Sequence, residues 1–451
     1  MSPGKFLPSI ILTANHSFTC SFLKFERKKG DKSHMAKVLG MRCRECGEEY
    51  PIAPIHVCEL CFGPLEVMLN WEEIAPKVTR KSIEAGPPSM WRYHELLPVE
   101  GPPTVGKNVG WTPLIKADRL GKLFGLNNLY VKNDAVNHPT LSFKDRVVSC
   151  ALTKAREFGY DTVACASTGN LANSVAAHAA EGGFKSYVFI PHDLEQGKVL
   201  GSLVYGTNVL SVNGNYDEVN RLCAEAGGKY GWAFVNINLR PFYGDGSKSY
   251  GFEIAEQLGW RTPDHVICPC AGGSLISKIY KAFHEFDKLG LLENGVVSKM
   301  YAAQAKGCSP ITTAIKNKAE VFRPQKPNTI AKSIAIGNPA DGYMAMETVR
   351  KSGGWADDVS EDDIVEGIRL LGRTEGIFTE TAGGVTVSVT QKLAEAGHFK
   401  PDDVVVICIT GNGLKTQEAV TGKLGETVGI QPNLASLDAA LNTERLLAYA
   451  G

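Results

Sequence analysis

Lys144 stands where an amine can react: it comes after the turn His138-Pro139-Thr140-Leu141-Ser142-Phe143 and opens a helical run through Asp145 and Arg146. Pro139 biases the chain away from helix, and Ser142 is able to cap the run that begins at Phe143. A lysine so placed can form an imine with an aldehyde cofactor; the plainer alternative is a surface lysine paired with Asp145. The second chemical feature is Cys43-x2-Cys46-x11-Cys58-x2-Cys61. Two Cys-x-x-Cys turns bring four thiolates within reach of one tetrahedral ion, and a closed four-thiolate shell is the pattern of structural zinc. Gly47 and Gly63 come just after the two pairs, as tight knuckle turns require. Iron and a metal-free pair of turns are the alternatives, a redox dithiol needs only one such pair, and His56 reads as a neighbour rather than a ligand. A closed shell does no chemistry, so this module is expected to prop the fold or a subunit contact.

Three loops stand at the ends of apolar strands. Ala166-Ser167-Thr168-Gly169-Asn170-Leu171-Ala172-Asn173 offers backbone amides and hydroxyls at a helix N-terminus. That is an anion site suited to a carboxylate, although Ser-Thr-Gly-Asn is also an ordinary helix cap. Cys270-Ala271-Gly272-Gly273-Ser274-Leu275 puts adjacent glycines before a helix, where backbone can wrap an oxyanion. It lacks the glycine spacing of a dinucleotide fold and the Gly-Lys-Ser/Thr of a P-loop, which leaves a simple phosphate cradle or a close-packed strand–helix turn. Ile409-Thr410-Gly411-Asn412-Gly413-Leu414-Lys415 lies at the edge where open α/β sheets hold ligands. Thr410 can offer its hydroxyl to a ring nitrogen there, or cap a helix.

These loops need a scaffold, and the chain from Asp161 supplies one. Thr162–Ala166, Ser186–Ile190, Val209–Val212, Ala233–Asn236, Val266–Pro269 and Val404–Cys408 read as strands, and Leu171–Ala180 and Tyr216–Ala226 as helices. Near-continuous apolar strands alternating with helices predict an α/β architecture with parallel sheet covered on both faces. Pro102, Pro103 and Gly106 suggest a linker before the first core element near Leu114. At 451 residues there is room for two or three domains, and the 48 basic residues balance 48 acidic ones. That balance gives no bulk attraction to nucleic acid or anionic membrane, and no window is apolar enough to span a bilayer. The twelve scattered cysteines suit a reducing, cytoplasmic setting. Residues 1–34 differ from the rest: a short apolar run from Phe6 to Leu12 precedes the charged break Lys28-Lys29-Gly30-Asp31-Lys32. They are expected to be a disordered tail or a targeting segment, or to lie upstream of a functional start at Met35.

Taken together, His138 to Arg146, Ser167 to Asn170, Ala271 to Ser274 and Thr410 to Lys415 closely resemble the threonine synthase family of fold-type II pyridoxal-phosphate enzymes, over about residues 105–420. Some members also carry an N-terminal four-cysteine knuckle. The resemblance implies a fold like the tryptophan synthase β chain, with two open twisted sheet domains. Residues 71–135 and 241–451 would form a large cofactor-binding domain, 136–240 a small mobile one, and 35–70 a zinc-ribbon-like knuckle holding structural zinc. Lys144 would carry pyridoxal 5'-phosphate as a Schiff base and then act as the base at Cα. Phe143 would lie beside the ring, Asn170 would bond the ring hydroxyl, and Ala271, Gly272, Gly273 and Ser274 would bind the cofactor phosphate. Thr410 would face the ring nitrogen; a neutral hydroxyl there leaves the nitrogen unprotonated, which favours elimination over transamination. Ser167 and Thr168 would take the substrate carboxylate. The implied reaction converts O-phospho-L-homoserine and water to L-threonine and phosphate, in a homodimer.

The chain departs from the family pattern at several places. Leu141 stands where several members have glycine, the cradle reads Ala-Gly-Gly-Ser rather than Gly-Asn-x-Gly-Asn, and Thr381 replaces a proline. Tyr243 stands where many relatives place an arginine for the leaving phosphate, so Arg240 or Lys248 is expected to supply the charge. Rival substrates on the same chemistry are those of cysteate synthase and threonine dehydratase; a non-catalytic relative using its knuckle for partner binding is the rival from another class.

Overall fold

Short apolar runs divided by turns fold as three sheets. The first strands, β1 (Val38–Cys43), β2 (Glu49–Tyr50) and β3 (Leu65–Leu69), form an antiparallel sheet in the order β2-β1-β3 around the four cysteines. After β4 (Leu114–Lys116) and β5 (Asn128–Asn133) the chain builds β6 (Thr162–Ala166), β7 (Lys185–Pro191), β8 (Asn208–Val212) and β9 (Ala233–Phe234). These make a parallel four-stranded sheet, β8-β7-β6-β9. It then returns with β10 (His265–Pro269), β11 (Lys299–Ala305), β12 (Ala356–Val359) and β13 (Val404–Ile409) to complete a six-stranded sheet, β12-β11-β10-β13-β5-β4. All its pairings are parallel except β4 with β5. The computed structural model describes residues 36–442 apart from Thr168, Asp193 and Asn215, with backbone only for Tyr216 and Asp217; the expected N-terminal tail and the candidate Thr168 lie outside the described residues.

The near-continuous apolar strands are explained by burial on both faces. Val266, Cys268, Val406 and Cys408 point into one core, while Ile267 and Ile407 point into a second beneath the helices Glu361–Glu375 and Thr381–Glu395. Each fully buried valine or isoleucine contributes roughly 1.5–3 kcal/mol. The helix expected over Leu171–Ala180 runs Asn170–Gly182 and stops at Gly183 in the left-handed conformation, a glycine C-cap. The strand expected over Ala233–Asn236 ends at Phe234, because the Asn238 carboxamide accepts the Phe234 N–H and Asn236 turns its side chain back to the Ala166 carbonyl. The stretch expected as a linker is packed: Val105 and Val109 on either side of Gly106 are fully buried. Among the described residues no helix is long and apolar enough to cross a membrane.

One buried ionic cluster anchors the helix that begins at Lys144. Arg146 reaches Asp134 at 2.6 Å and Glu253 at 2.5 Å, and Lys132 reaches Glu253 at 2.6 Å, all four side chains having no exposed surface. The Glu253 carboxylate also accepts the Trp111 and Thr112 N–H groups. Burial alone would push the Glu253 carboxyl up, but the Arg146 and Lys132 charges outweigh it and hold its pKa at about 2.

Candidate active site

Parallel strands bring their C-terminal ends to one edge, where loops after β6, β10 and β13 converge on the turn before the Lys144 helix. Two backbone links join that turn to the loop after β13. Phe143 N–H donates to the Thr410 carbonyl at 3.0 Å, and Asn412 N–H to the Leu141 carbonyl at 3.1 Å. Leu141 adopts φ +59°, in the left-handed region where glycine is favoured, so the glycine several relatives place here has a conformational rationale and Leu141 carries roughly 1–2 kcal/mol of strain. The helix Lys144–Glu157 starts without a side-chain cap. The expected cap by Ser142 is therefore corrected: its hydroxyl is buried with no partner, and Asp145 instead accepts Thr140 N–H at 3.0 Å and Thr140 Oγ1 at 2.7 Å. With Asp145 so engaged, Lys144 points into a cavity of about 530 Å³, the size of a small-molecule site.

Of the residues expected to act, Lys144, Phe143, Ser167, Asn170, Ala271, Gly272, Gly273, Ser274, Arg240 and Thr410 all line this cavity. Lys144 Nζ donates to Tyr243 Oη at 3.0 Å and lies 4.6 Å from the Phe143 ring centre. The desolvated Tyr243 hydroxyl has its pKa pushed up and stays protonated through the physiological range. Gly273, at φ +98°, opens the helix Ser274–Lys288; a side chain there would strike the Asp341 carbonyl, whereas the position of a Gly272 side chain is open space. Backbone amides at the start of a long helix, with room before them, fit a phosphate. Ser167 Oγ accepts Gly169 N–H at 3.0 Å and Ala172 N–H at 2.9 Å, which leaves its proton to donate.

Asn170 donates both ways to Glu380, at 3.0 and 2.9 Å, while its Oδ1 is buried without a partner; the Asn236 Oδ1 on the same cavity is likewise unpaired. Buried acceptors left open in this way fit a polar ligand. An aldehyde-bearing, phosphorylated ring would meet a lysine amine, a glycine cradle, a threonine hydroxyl and an asparagine here, so the residues present fit pyridoxal 5'-phosphate. Glu380 is not among the residues expected from the sequence to act, although it falls within the Glu-Gly-x-x-x-Glu pattern that begins at Glu375. Gly411 carries a matching signal, since a side chain there would collide with the Glu380 carboxylate.

Lys248 does not reach the cavity. Its ammonium is wholly buried against the Leu96 carbonyl at 2.6 Å, Glu285 at 3.1 Å and Asp245 at 3.2 Å, so its expected part in phosphate binding is withdrawn. Arg240 does line the cavity and pairs with Asp341 at 2.6 Å. The four cysteine sulfurs lie within 4.8 Å of one another, with Cys43–Cys61 at 3.4 Å and Cys46–Cys58 at 3.5 Å. A tetrahedral zinc with bonds of about 2.3 Å needs sulfurs about 3.8 Å apart, so the set fits a closed shell. His56 is outside it and lines the cavity instead.

Comparison with known proteins agrees with this geometry. Residues 105–411 match the family model described as pyridoxal-phosphate dependent enzyme. The threonine synthase of Methanocaldococcus jannaschii is 38% identical over 394 residues, covering 86% of this chain and 96% of that protein. That of Methanosarcina acetivorans is 37% identical over 408 residues, covering 89% and 98%. Among solved structures, diaminopropionate ammonia lyase from Escherichia coli superposes with a TM-score of 0.60 at 18% identity, over 73% of this chain and 89% of that one, a likeness of fold. With a family model spanning most of the chain and relatives matched nearly end to end, the protein belongs to the threonine synthase family of fold-type II, pyridoxal-phosphate dependent α/β enzymes.

Proposed function

We propose that the protein is a carbon–oxygen lyase that converts O-phospho-L-homoserine and water to L-threonine and phosphate, using pyridoxal 5'-phosphate on Lys144. The observation that carries this reading is the convergence of Lys144, the Gly272–Ser274 cradle, Asn170 and Thr410 on one cavity. The bound cofactor supplies an electron sink that makes the substrate's Cα and Cβ protons acidic. The chain's own residues do the rest. The cradle amides anchor a phosphate, Asn170 and Thr410 orient the ring through neutral hydrogen bonds, and Ser167 with the amides beside it holds the substrate carboxylate. Lys144 moves the proton at Cα, and Tyr243, 3.0 Å away, holds that amine in line. Across the whole reaction the Cγ–oxygen bond breaks and phosphate leaves with its electron pair, Cγ gains one proton, Cβ loses one, the hydroxyl of water ends on Cβ, and the remaining proton of water leaves with phosphate.

Zinc at Cys43, Cys46, Cys58 and Cys61, a homodimer, and movement of the four-stranded-sheet region against the larger one belong to the same reading. The test is phosphate release from O-phospho-L-homoserine by purified holoenzyme, with threonine quantified in the same tube. Equal amounts of both support it. No release, with phosphate liberated instead from phosphoserine and sulfite, would move the assignment to cysteate formation, which needs a phosphate pocket as well.

A further inference from the structure

The cysteine module is part of the catalytic cavity's wall. Arg44, between the first two cysteines, and His56, two residues before the third, line the same cavity as Lys144. We propose that Arg44 and His56, together with Arg240, bind the phosphate group of the substrate, so that the metal-holding module sets substrate specificity; this rests on the phosphorylated amino acid proposed above.

Four lysines and arginines line the cavity among the described residues: Arg44, Lys144, Arg240 and Lys278. Lys144 is the amine that takes the cofactor. Lys278 is engaged by Asp245 at 2.5 Å and by Glu66 at 3.2 Å. Tyr243 brings no charge, and Lys248 is buried elsewhere. Arg44 and Arg240 are left. Each gives Nη2 to a carboxylate, Glu347 at 2.9 Å and Asp341 at 2.6 Å. A guanidinium carries five donors in a planar fork, so one carboxylate contact leaves capacity for a phosphate. His56 adds a ring N–H in either protonation state.

The module is fixed where this role requires it. Strand β3 packs on the helix Arg240–Gly246, which carries Arg240 and Tyr243. Glu66 in β3 is paired with Lys281 at 2.8 Å as well as Lys278, both on the helix that opens at the cradle. Arg44 is tethered through its own backbone and its chain neighbour: the Cys43 carbonyl accepts the Gly47 N–H at 3.1 Å, and Arg44 N–H donates to the Pro64 carbonyl at 3.1 Å. An ion held by the four thiolates would clamp the turns on which Arg44 and His56 ride, which couples metal occupancy to phosphate affinity.

Holoenzyme carrying Arg44→Gln, Arg44→Lys or His56→Gln would be titrated calorimetrically with inorganic phosphate and, separately, with L-threonine, after metal content per chain is checked. Loss of one charged hydrogen bond is worth about a tenfold change in affinity. Arg44→Gln is expected to weaken phosphate binding about tenfold, with His56→Gln weaker by about threefold, and Arg44→Lys to recover part of the loss. L-threonine, which has no phosphate, should bind within about twofold of the parent. KM for O-phospho-L-homoserine should rise more than kcat falls. Removing the metal should weaken phosphate binding at least as much as Arg44→Gln does. Phosphate affinity unchanged in Arg44→Gln, or parallel loss of phosphate and threonine binding, overturns the proposal. If the parent binds phosphate through Arg44 but turns over no O-phospho-L-homoserine, the proposed function fails and the anion wall stands.

Discussion

Replacing Tyr243 by phenylalanine removes one oxygen and tests whether the hydroxyl beside Lys144 does chemistry. The Lys144 Nζ–Tyr243 Oη distance is 3.0 Å, and the half-buried ring also packs against the core, so the substitution keeps the ring and deletes the hydrogen bond. A hydrogen bond to a neutral amine is worth about 1 kcal/mol and one to an ammonium about 1.5–3 kcal/mol. If the bond is held while Lys144 moves the Cα proton, kcat should therefore fall by between about fivefold and about 150-fold. Steady-state phosphate release gives kcat and KM, and the cofactor absorbance reports loading in the same sample. KM and cofactor content should stay near the parent values. Because burial raises the Tyr243 pKa, its ionisation should add no limb to the pH–rate profile between about pH 6 and 9. A kcat within about twofold of the parent, with full cofactor loading, would refute the role given to Tyr243. So would a kcat loss that simply tracks lost cofactor.

The same geometry sets four further expectations. Lys144→Ala should lower turnover at least roughly a hundredfold while the far-ultraviolet dichroism and melting temperature hold, since Lys144 lies outside the buried ionic cluster. Glu253→Gln should cost about 3–5 kcal/mol in urea unfolding, because Lys132 and Arg146 lose the carboxylate that compensates them in a site without exposure. The same group predicts acid sensitivity: its folded pKa of about 2 lies below the ordinary 4.5, so its stabilisation is full above about pH 4.5 and is lost as pH falls toward 2. Equilibrium unfolding at about pH 7, 5 and 3 reads this out, and no loss between pH 5 and 3 would count against it. Elemental analysis of protein purified without chelator should find one zinc per chain, and Cys46→Ser should lower both zinc content and melting temperature.

The parts of the site legible in the sequence are those carried by short contiguous stretches. The lysine turn, the glycine cradle and the Ser167–Asn170 loop each depend on backbone conformation over a few residues, and turn chemistry is written locally. The four cysteines are legible because metal-ligand spacing is fixed by two tight turns. Lys248 misleads for the opposite reason. It stands two residues after Gly246, which places it near the phosphate-binding stretch in the chain, but the helix Lys248–Gln257 turns its side chain away toward Leu96 and Glu285. A lysine's role depends on which carboxylates meet it, and here one of the two, Glu285, is 37 residues distant.

The same distance problem hides the module's position from a reading of the chain. Arg44 and Lys144 share a cavity across about a hundred residues of chain, and the links that make this so are Glu66 with Lys278 and Lys281, and Arg44 with Glu347. None leaves a mark in spacing or periodicity. By composition, a four-thiolate knuckle is a closed shell remote from catalysis. In three dimensions, its turns carry Arg44 and His56 to the wall of the cavity that Lys144, Arg240 and Tyr243 also line. If Arg44 and His56 join Arg240 in holding the substrate phosphate, substrate affinity is tied to metal supply, and that coupling is what the phosphate titration of Arg44→Gln and of metal-depleted enzyme would measure.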